Sequence, residues 1–407
     1  MKSITTICLI CLLLTGIASA AAPLTFEARD TKTLRAAIAQ AVKATQGKQP
    51  EQRPAVTIRL APGTYQGGVY IENLVGTRDK PAIFCGEDAK NPPVIVGGKD
   101  GLKFNDCSYL IIRDLKLRKQ KDNGIQVTDG GDYKTPSHHI LLERIHLEDI
   151  GSGGNNDGLK LSGVDDFFIR DCTIHGWDGQ CVDMVGCHRG LITGCTFIGK
   201  KERRQWTGIQ PKGGASDILI QNCLFDNAGM RAVNLGGTCG LPYFRPLDAK
   251  FEAKNLTVEH CTFRGSEAPI AYTNVDVATV RYCTFIEPNK WVMRILNESA
   301  DDPKRKHLTR CRNGVFTNNI VLFSTKKVRY FANLSPKIDT TTFTFANNLW
   351  YASDNPAASK PKLPAVETGG VYGVNPQLTP VGEDLKHSKP QNPKASRYGA
   401  TAIQLKK

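Results

Sequence analysis

FFIRDCTI (167–174) with CVDMVG (181–186), GLITGCTF (190–197) with GIQPKGG (208–214), and ILIQNCLF (218–225) with AVNLGG (232–237) read as one phrase written three times. Each pass alternates apolar and polar residues, turns on Gly, Asn or Asp, and resumes as a second strand. Strands of period two that recur every ~20–30 residues are the mark of a solenoid. A single coil cannot bury its own apolar face, so each must stack on the next. The spacing therefore predicts an all-β chain forming a single-stranded, right-handed parallel β-helix. Function is then expected on the outward positions of one side.

The same phrase extends in both directions. Upstream stand YLIIRDLKL (109–117) with NGIQV (123–127), and ILLERIHL (140–147) with DGLKLSG (157–163). Downstream stand LTVEHCTF (256–263) with PIAYTN (269–274), ATVRYCTF (278–285) with WVMRILN (291–297), GVFTNNIVLF (314–323) and TFTFANNLWY (342–351). Asn318, Asn319, Asn347 and Asn348 suit turn slots, where Asn tolerates left-handed backbone. Ahead of the coils, Thr31 to Lys48 reads as a helix, with Leu34, Ile38 and Val42 on one face, Thr31 or Thr33 as cap and Gly47 as stop. Its expected task is to cover the open first coil. From residue 352 to 407 the repeat fades into a Pro-, Lys- and Ser-rich tail, leaving 21–351 as one solenoid domain.

Residues 1–20 carry the pattern of a secretory signal: Lys2, the apolar run ICLICLLLTGIA (7–18) and a small-residue site at Ala-Ser-Ala (18–20). A secreted or periplasmic protein is expected, with no membrane span after cleavage, since no later stretch approaches ~18 apolar residues. Of the 13 cysteines, eleven lie beyond that segment. Cys172, Cys195, Cys223, Cys261 and Cys283 share one slot of the repeat, which predicts a packed ladder of small apolar thiols rather than a disulfide framework. Among these eleven no CxxC pair occurs to suggest zinc. The formal net charge is +14, which for an exported chain points to an anionic partner. Without a nucleic-acid motif, acidic polysaccharide is the better expectation than nucleic acid. A monomer is expected.

The helix followed by IRLAPGTYQGG (58–68), GTRDKPAIFCGED (76–88) and PPVIVGG (92–98) resembles the start of secreted, pectin-lyase-like β-helix proteins of the polysaccharide lyase type. It is most similar to the alginate lyase and chondroitinase B type, polysaccharide lyase family 6. The resemblance implies β-elimination on a uronate polymer. KGGASDILIQNCLFDNAGMRAVNLGG (212–237) is similar to the family's catalytic segment, with Lys212 in the place of its Lys. Where the family carries its Arg, this chain has Asn234 or Leu235, and the nearest cation is Arg231. The acidic residues that bind calcium in the family are replaced by QWTGIQ (205–210), so the cofactor it implies has no clear site and no metal ligands are assigned.

Aligning the second strand of each coil puts Leu159, Val182, Ile209, Val233, Ile270 and Met293 inward. The outward file then reads Gln126, Lys160, Asp183, Gln210, Asn234, Ala271 and Arg294, with Lys212 two residues further on and Arg231 at a leading edge. β-Elimination needs a base for the C5 proton, donors or cations for the adjoining carboxylate, and an acid for the departing C4 oxygen. Lys212 is the expected base, with Arg231 beside it to depress its pKa. Gln210 and Asn234 are expected to hold the carboxylate, with Lys160, Asp183, Tyr243, Arg245, Tyr272 and Arg294 as further substrate contacts. Tyr243 and Arg245 fall in an insertion at 238–250, and a charged loop at 297–309 is expected to wall the same groove.

Two other readings stand beside this one. A non-catalytic carbohydrate-binding β-helix would keep the basic face without a working base. NNDG (155–158) and GWDGQC (176–181) resemble motifs of polygalacturonase-type hydrolases, where Asp157 and Asp178 would be the paired carboxylates. His188, alone beside Arg189, reads as structural, with an acid–base role as its alternative.

Overall fold

The computed structural model describes residues 23–203, 205–298, 302–380 and 387–401. The segment 1–20, read above as a secretory signal, lies outside them. Two long parallel sheets, of 23 and 10 strands among the described residues, run the length of the molecule. In a repeating coil such as Ala215–Gln221, Leu224–Asp226 and Arg231–Gly236, the first two segments lie in the larger sheet and the third in the smaller. The architecture is the parallel β-helix expected from the period.

A repeated backbone device bends the coil between its first two segments. The residue before each ladder cysteine or its equivalent has positive φ: Asp171, Asn222, His260, Tyr282, Asn318 and Asn347 all fall between 52° and 58°. Asn and Asp occupy such backbone at little cost, whereas His260 and Tyr282 carry the ~1 kcal/mol penalty of a Cβ there. The bend turns the next side chain inward. Cys172, Cys195, Cys223, Cys261 and Cys283 are buried and unbridged, and the Cys223 thiol donates to the Gln221 carbonyl at 3.1 Å. Behind them Phe197, Phe225, Phe263 and Phe285 stack with centroids 4.6–5.0 Å apart, matching the coil spacing. Asn319 and Asn348 correct the sequence expectation. They are fully buried in the cysteine slot, Asn319 Oδ1 accepting from Cys283 N and Asn348 Oδ1 from Asn319 N, while only Asn318 and Asn347 take the turn position.

The helix α1 (Thr31–Thr45) packs Leu34, Ala37, Ile38 and Ala41 against the first coils. Its cap is Asp30 rather than Thr31 or Thr33: Asp30 Oδ1 accepts from Thr33 N at 2.7 Å and Thr33 Oγ1 accepts from Asp30 N at 3.0 Å. At the other end the ladder runs past Ala352, with Glu367–Thr368 and Val371–Tyr372 adding a further short rung. Residues 387–401 then fold back along the larger sheet. There Ala395 and Tyr398 pack on Ile320 and Leu349, and Ala400 N donates to Thr284 Oγ1 at 2.9 Å.

Candidate functional site

The smaller sheet carries the predicted file. Its strands are β1 (Val69–Glu72), β2 (Leu102–Asn105), β3 (Ile125–Thr128), β4 (Leu159–Ser162), β5 (Gln180–Val185), β6 (Thr207–Lys212), β7 (Arg231–Gly236), β8 (Ala268–Thr273), β9 (Met293–Leu296) and β10 (Ala332–Leu334). Register pairs Gln126 with Lys160, Lys160 with Asp183, Asp183 with Gln210, Asn234 with Ala271, and Ala271 with Arg294. Parallel pairing of period-two strands leaves the file no other arrangement.

Along β4 to β6 the side chains form one chain of alternating charge. Lys160 Nζ lies 2.7 Å from Asp157 Oδ2 and 3.1 Å from Asp183 Oδ2, and Lys212 Nζ lies 2.8 Å from Asp183 Oδ1. Asp157 and Asp183 are fully buried, while the Lys160 and Lys212 side chains keep 21% and 12% of their surface. Burial and then the Asp183 charge push Asp157 up to about 6, although Lys160 and the Gln180 N–H oppose this. Burial also penalises the Asp183 anion, but Lys212 and Lys160 outweigh it and hold its carboxyl below the usual range. Both lysines show the converse: burial disfavours the ammonium, and the carboxylates more than restore it, so each pKa is raised.

This reverses the electrostatics expected at Lys212. The raised pKa comes from Asp183, and the ionic partner of Arg231 is Glu298, at 2.6 Å, with Thr238 Oγ1 on the other Glu298 oxygen at 3.4 Å. Arg231 pairs in register with Thr207, at the opposite end of β6 from Lys212. Sequence spacing had set the two cations close, but they belong to opposite edges of the strand.

The insertion 238–250 roofs the trailing edge of this face. Val185, Cys239, Phe244 and Ala249 form a small separate core there, with Leu241 and Leu308 against it. Arg245 runs back across the turns at Gly163, Gly186 and Gly214, where an added Cβ would strike Arg245 or its partner Asp129. Its guanidinium grips both oxygens of Asp129 and lies 4.0 Å from the Tyr133 ring centre. Glu252, also fully buried, accepts from Gly213 N and Cys239 N at 3.0 Å and from Arg305 at 2.7 Å; burial pushes its carboxyl up against these donors.

Several predicted contacts take other roles. Arg245 is buried in its ion pair and serves as a staple. Tyr272 faces the core, 1% exposed, with its hydroxyl donating to the Val315 carbonyl at 2.9 Å. Asn234 is 1% exposed and its Oδ1 accepts from Thr273 Oγ1 at 2.7 Å. Gln210 is buried with its amide over Gly237. Tyr243 is 60% exposed on the insertion, and Arg294 is half-buried on β9. His188 belongs to the larger sheet, between Asp165 and the Gly214 carbonyl. Asp178 is taken by Gly153 N and Arg203 and Asp157 by Lys160, so they do not make the free facing carboxylates of a hydrolase. Asp129, Glu252, Glu298 and Arg305 were missed, because no local pattern ties a loop acid to a distant coil.

Among the described residues no group of three or more His, Cys, Asp or Glu side chains is arranged to hold a metal. Asp157 and Asp183 on the candidate face have the Lys160 ammonium between their carboxylates. The donor set does not fit calcium.

A family model described as right handed beta helix region matches residues 100–290. No curated relative matches the chain in sequence. Among solved structures, the A-module of mannuronan C-5 epimerase AlgE6 of Azotobacter vinelandii is 13% identical, with 85% of this chain and 96% of that one covered and a TM-score of 0.52. An alginate lyase from Paenibacillus sp. FPU-7 is 16% identical over 77% of this chain and 95% of that one, TM-score 0.48. A mannuronic acid specific polysaccharide family 6 lyase from human gut microbiota is 13% identical over 84% and 91%, TM-score 0.48. With its two parallel sheets and this family match, the chain is a right-handed parallel β-helix protein.

Proposed function

We propose that the protein is a polysaccharide lyase that cleaves an acidic, uronate-containing polymer by β-elimination at the face of β4 to β7. The observation that carries this reading is Lys212, a largely buried amine whose position is fixed by Asp183, itself fixed by Lys160. A base held in one place by a second residue that is locked in turn meets the positioning demand of C5 proton abstraction. Lys160, which shares the Asp183 carboxylate with Lys212, is the cation beside this base for the substrate carboxylate, whose charge grows as the proton leaves. The lyases among the structural neighbours share the scaffold on which such a face is built. Their chemistry enters here as analogy, since one fold hosts many reactions.

The raised pKa of Lys212 favours a second reading, a non-catalytic β-helix that binds acidic polysaccharide through permanently charged lysines. Ultraviolet absorbance during incubation with alginate, pectate, chondroitin and dermatan sulfate separates the two. A rise from the unsaturated product that Lys212→Ala abolishes, with binding retained, supports elimination. Binding without product on every polymer, weakened but not lost in Lys212→Ala, supports the second reading. New reducing ends without that absorbance would reopen hydrolysis.

A further inference from the structure

The file that carries Lys160 does not begin there. Parallel register runs it back one coil at a time, from Lys160 to Gln126, from Gln126 to Lys103, and from Lys103 to Tyr70 on β1. Gln126 and Lys103 are half-buried, and Tyr70 is 49% exposed. The exposed ring is nevertheless held in place. Its hydroxyl accepts from Asn105 Nδ2 at 2.5 Å, on the neighbouring strand β2, and Lys103 Nζ stands 5.9 Å from the ring centre. Lys103 belongs to the following coil, whereas α1 covers the first one. Between α1 and β1 lies an open groove of about 560 Å³, lined by Ala39, Val42, Lys43 and Gln46 on the helix and by Tyr70 on the strand. Glu72 lines it too and is the carboxylate that faces the two lysines. An aromatic face fixed at its polar end, with apolar side chains opposite, an amide beside it and ammonium groups on both flanks, suits a pyranose ring that bears an acid group. The C–H face of the sugar packs on the ring, and its polar edge meets the donors.

We infer that Tyr70, Lys103 and the adjoining side of α1 form a distal subsite for one residue of an acidic polysaccharide, on the same polymer chain that reaches Lys212. The inference rests on the proposed substrate class and not on the elimination step. Five coil steps separate β1 from β6, or ~24 Å at ~4.8 Å per step. A pyranose residue of an extended chain advances about as far as one coil. Tyr70 then receives a residue several places along from the one at Lys212, and a dimer or trimer seated at Lys160 and Lys212 cannot reach it. A longer oligomer gains affinity because its second contact is made within one complex.

Titration calorimetry on the full chain tests this with oligomannuronates and oligogalacturonates from dimer to octamer and with a carboxyl-reduced octamer. Lys212→Ala is present in every arm so that no probe is consumed. Tyr70→Ala is expected to weaken the acidic octamers about fivefold or more and leave the dimers and trimers unchanged. Tyr70→Phe keeps the ring and should retain most of the octamer affinity. Lys103→Gln should weaken the acidic octamers about threefold or more and spare the carboxyl-reduced one. Octamer affinity unchanged in Tyr70→Ala, a loss shared equally by the dimers, or no gain in affinity from trimer to octamer in the parent each overturns the subsite. No binding of any acidic oligomer overturns the substrate class and the subsite with it. If the length-dependent loss appears while the chain with Lys212 intact cleaves no polymer, elimination fails and the subsite stands. If that chain cleaves and Tyr70→Ala leaves its KM for the octamers unchanged, the subsite fails and elimination stands.

Discussion

Arg245 Nε and Nη2 reach both carboxylate oxygens of Asp129, at 2.5 and 3.0 Å, across 116 residues of sequence. The pair is buried, and it ties the insertion after β7 to the loop after β3 over the coils between. Removing one partner leaves the other as an uncompensated buried charge, which costs roughly 3–5 kcal/mol. Arg245→Ala and Asp129→Ala should therefore lower stability by similar amounts in denaturant titrations, and the double variant by less than their sum. Limited proteolysis should cut within 238–250 faster in both single variants. Additive losses with an unchanged cleavage pattern would show that the insertion is held by its small apolar core instead.

Among the described residues, Lys160 is the only cation that touches both Asp157 and Asp183. In Lys160→Met the two carboxylates remain buried, with Lys212 alone opposing them, and their folded pKa values must rise. A raised carboxyl pKa means that the folded state binds protons more tightly than the unfolded one, so stability falls as pH climbs through the folded value. The stability difference between wild type and Lys160→Met should then widen from about pH 4 to pH 7, to roughly 3–5 kcal/mol at the upper end. A difference independent of pH would mean that packing of the lysine stem, not its charge, is what the site uses.

The file on which this site stands was legible in the sequence because two rigid rules apply to it. Alternation decides which face a strand residue meets, and parallel stacking repeats the answer coil after coil. The same rules placed the thiol ladder. Tyr272 shows the rule misapplied: it stands one residue beyond Ala271 and so faces the core by the alternation that put Ala271 outward. The remainder of the site depends on contacts that no period encodes. Arg245 was read as a sugar contact because a loop arginine beside a groove has that chemistry, but Asp129 claims it from a different coil. The pKa of Lys212 was likewise misread, since the sign turns on whether its nearest charge is Asp183 or Arg231, and only three-dimensional placement decides that. Asn319 and Asn348 inherit a cysteine slot because an amide can both accept from and donate to the ladder backbone from within, where the ladder thiols donate to carbonyls.

His188 places both ring nitrogens on acceptors, Nδ1 at 2.8 Å from Asp165 Oδ1 and Nε2 at 3.1 Å from the Gly214 carbonyl. Only the doubly protonated imidazolium can donate to both. Burial opposes that charge, the Asp165 contact outweighs it, and the pKa is raised above the ordinary 6.5 although Arg189 opposes. The contribution to stability is therefore fully present below about pH 6.5 and is lost as pH rises through the folded pKa. The melting temperature should drop across that window, and His188→Gln should remove this part of the slope while lowering the plateau at acid pH. Nuclear magnetic resonance titration of the ring gives the pKa directly, and a value below 6.5 would contradict the assignment.

Lys212 offers the sharpest test of its proposed role. Burial depresses its pKa, but the Asp183 carboxylate more than offsets this, so the amine is protonated at neutral pH. Only the neutral amine can accept the C5 proton, and its fraction grows about tenfold per pH unit below its pKa. With Lys212 as base, log kcat/KM should climb with unit slope from about pH 7 to pH 9 without reaching a plateau. Asp183→Asn removes the charge that raises the pKa and leaves the burial that lowers it, so the rising limb should move to lower pH even if the protein is less stable. A profile flat through neutrality in the wild type, or a limb unmoved in Asp183→Asn, assigns Lys212 to holding the substrate carboxylate as a cation and places the base elsewhere on the face.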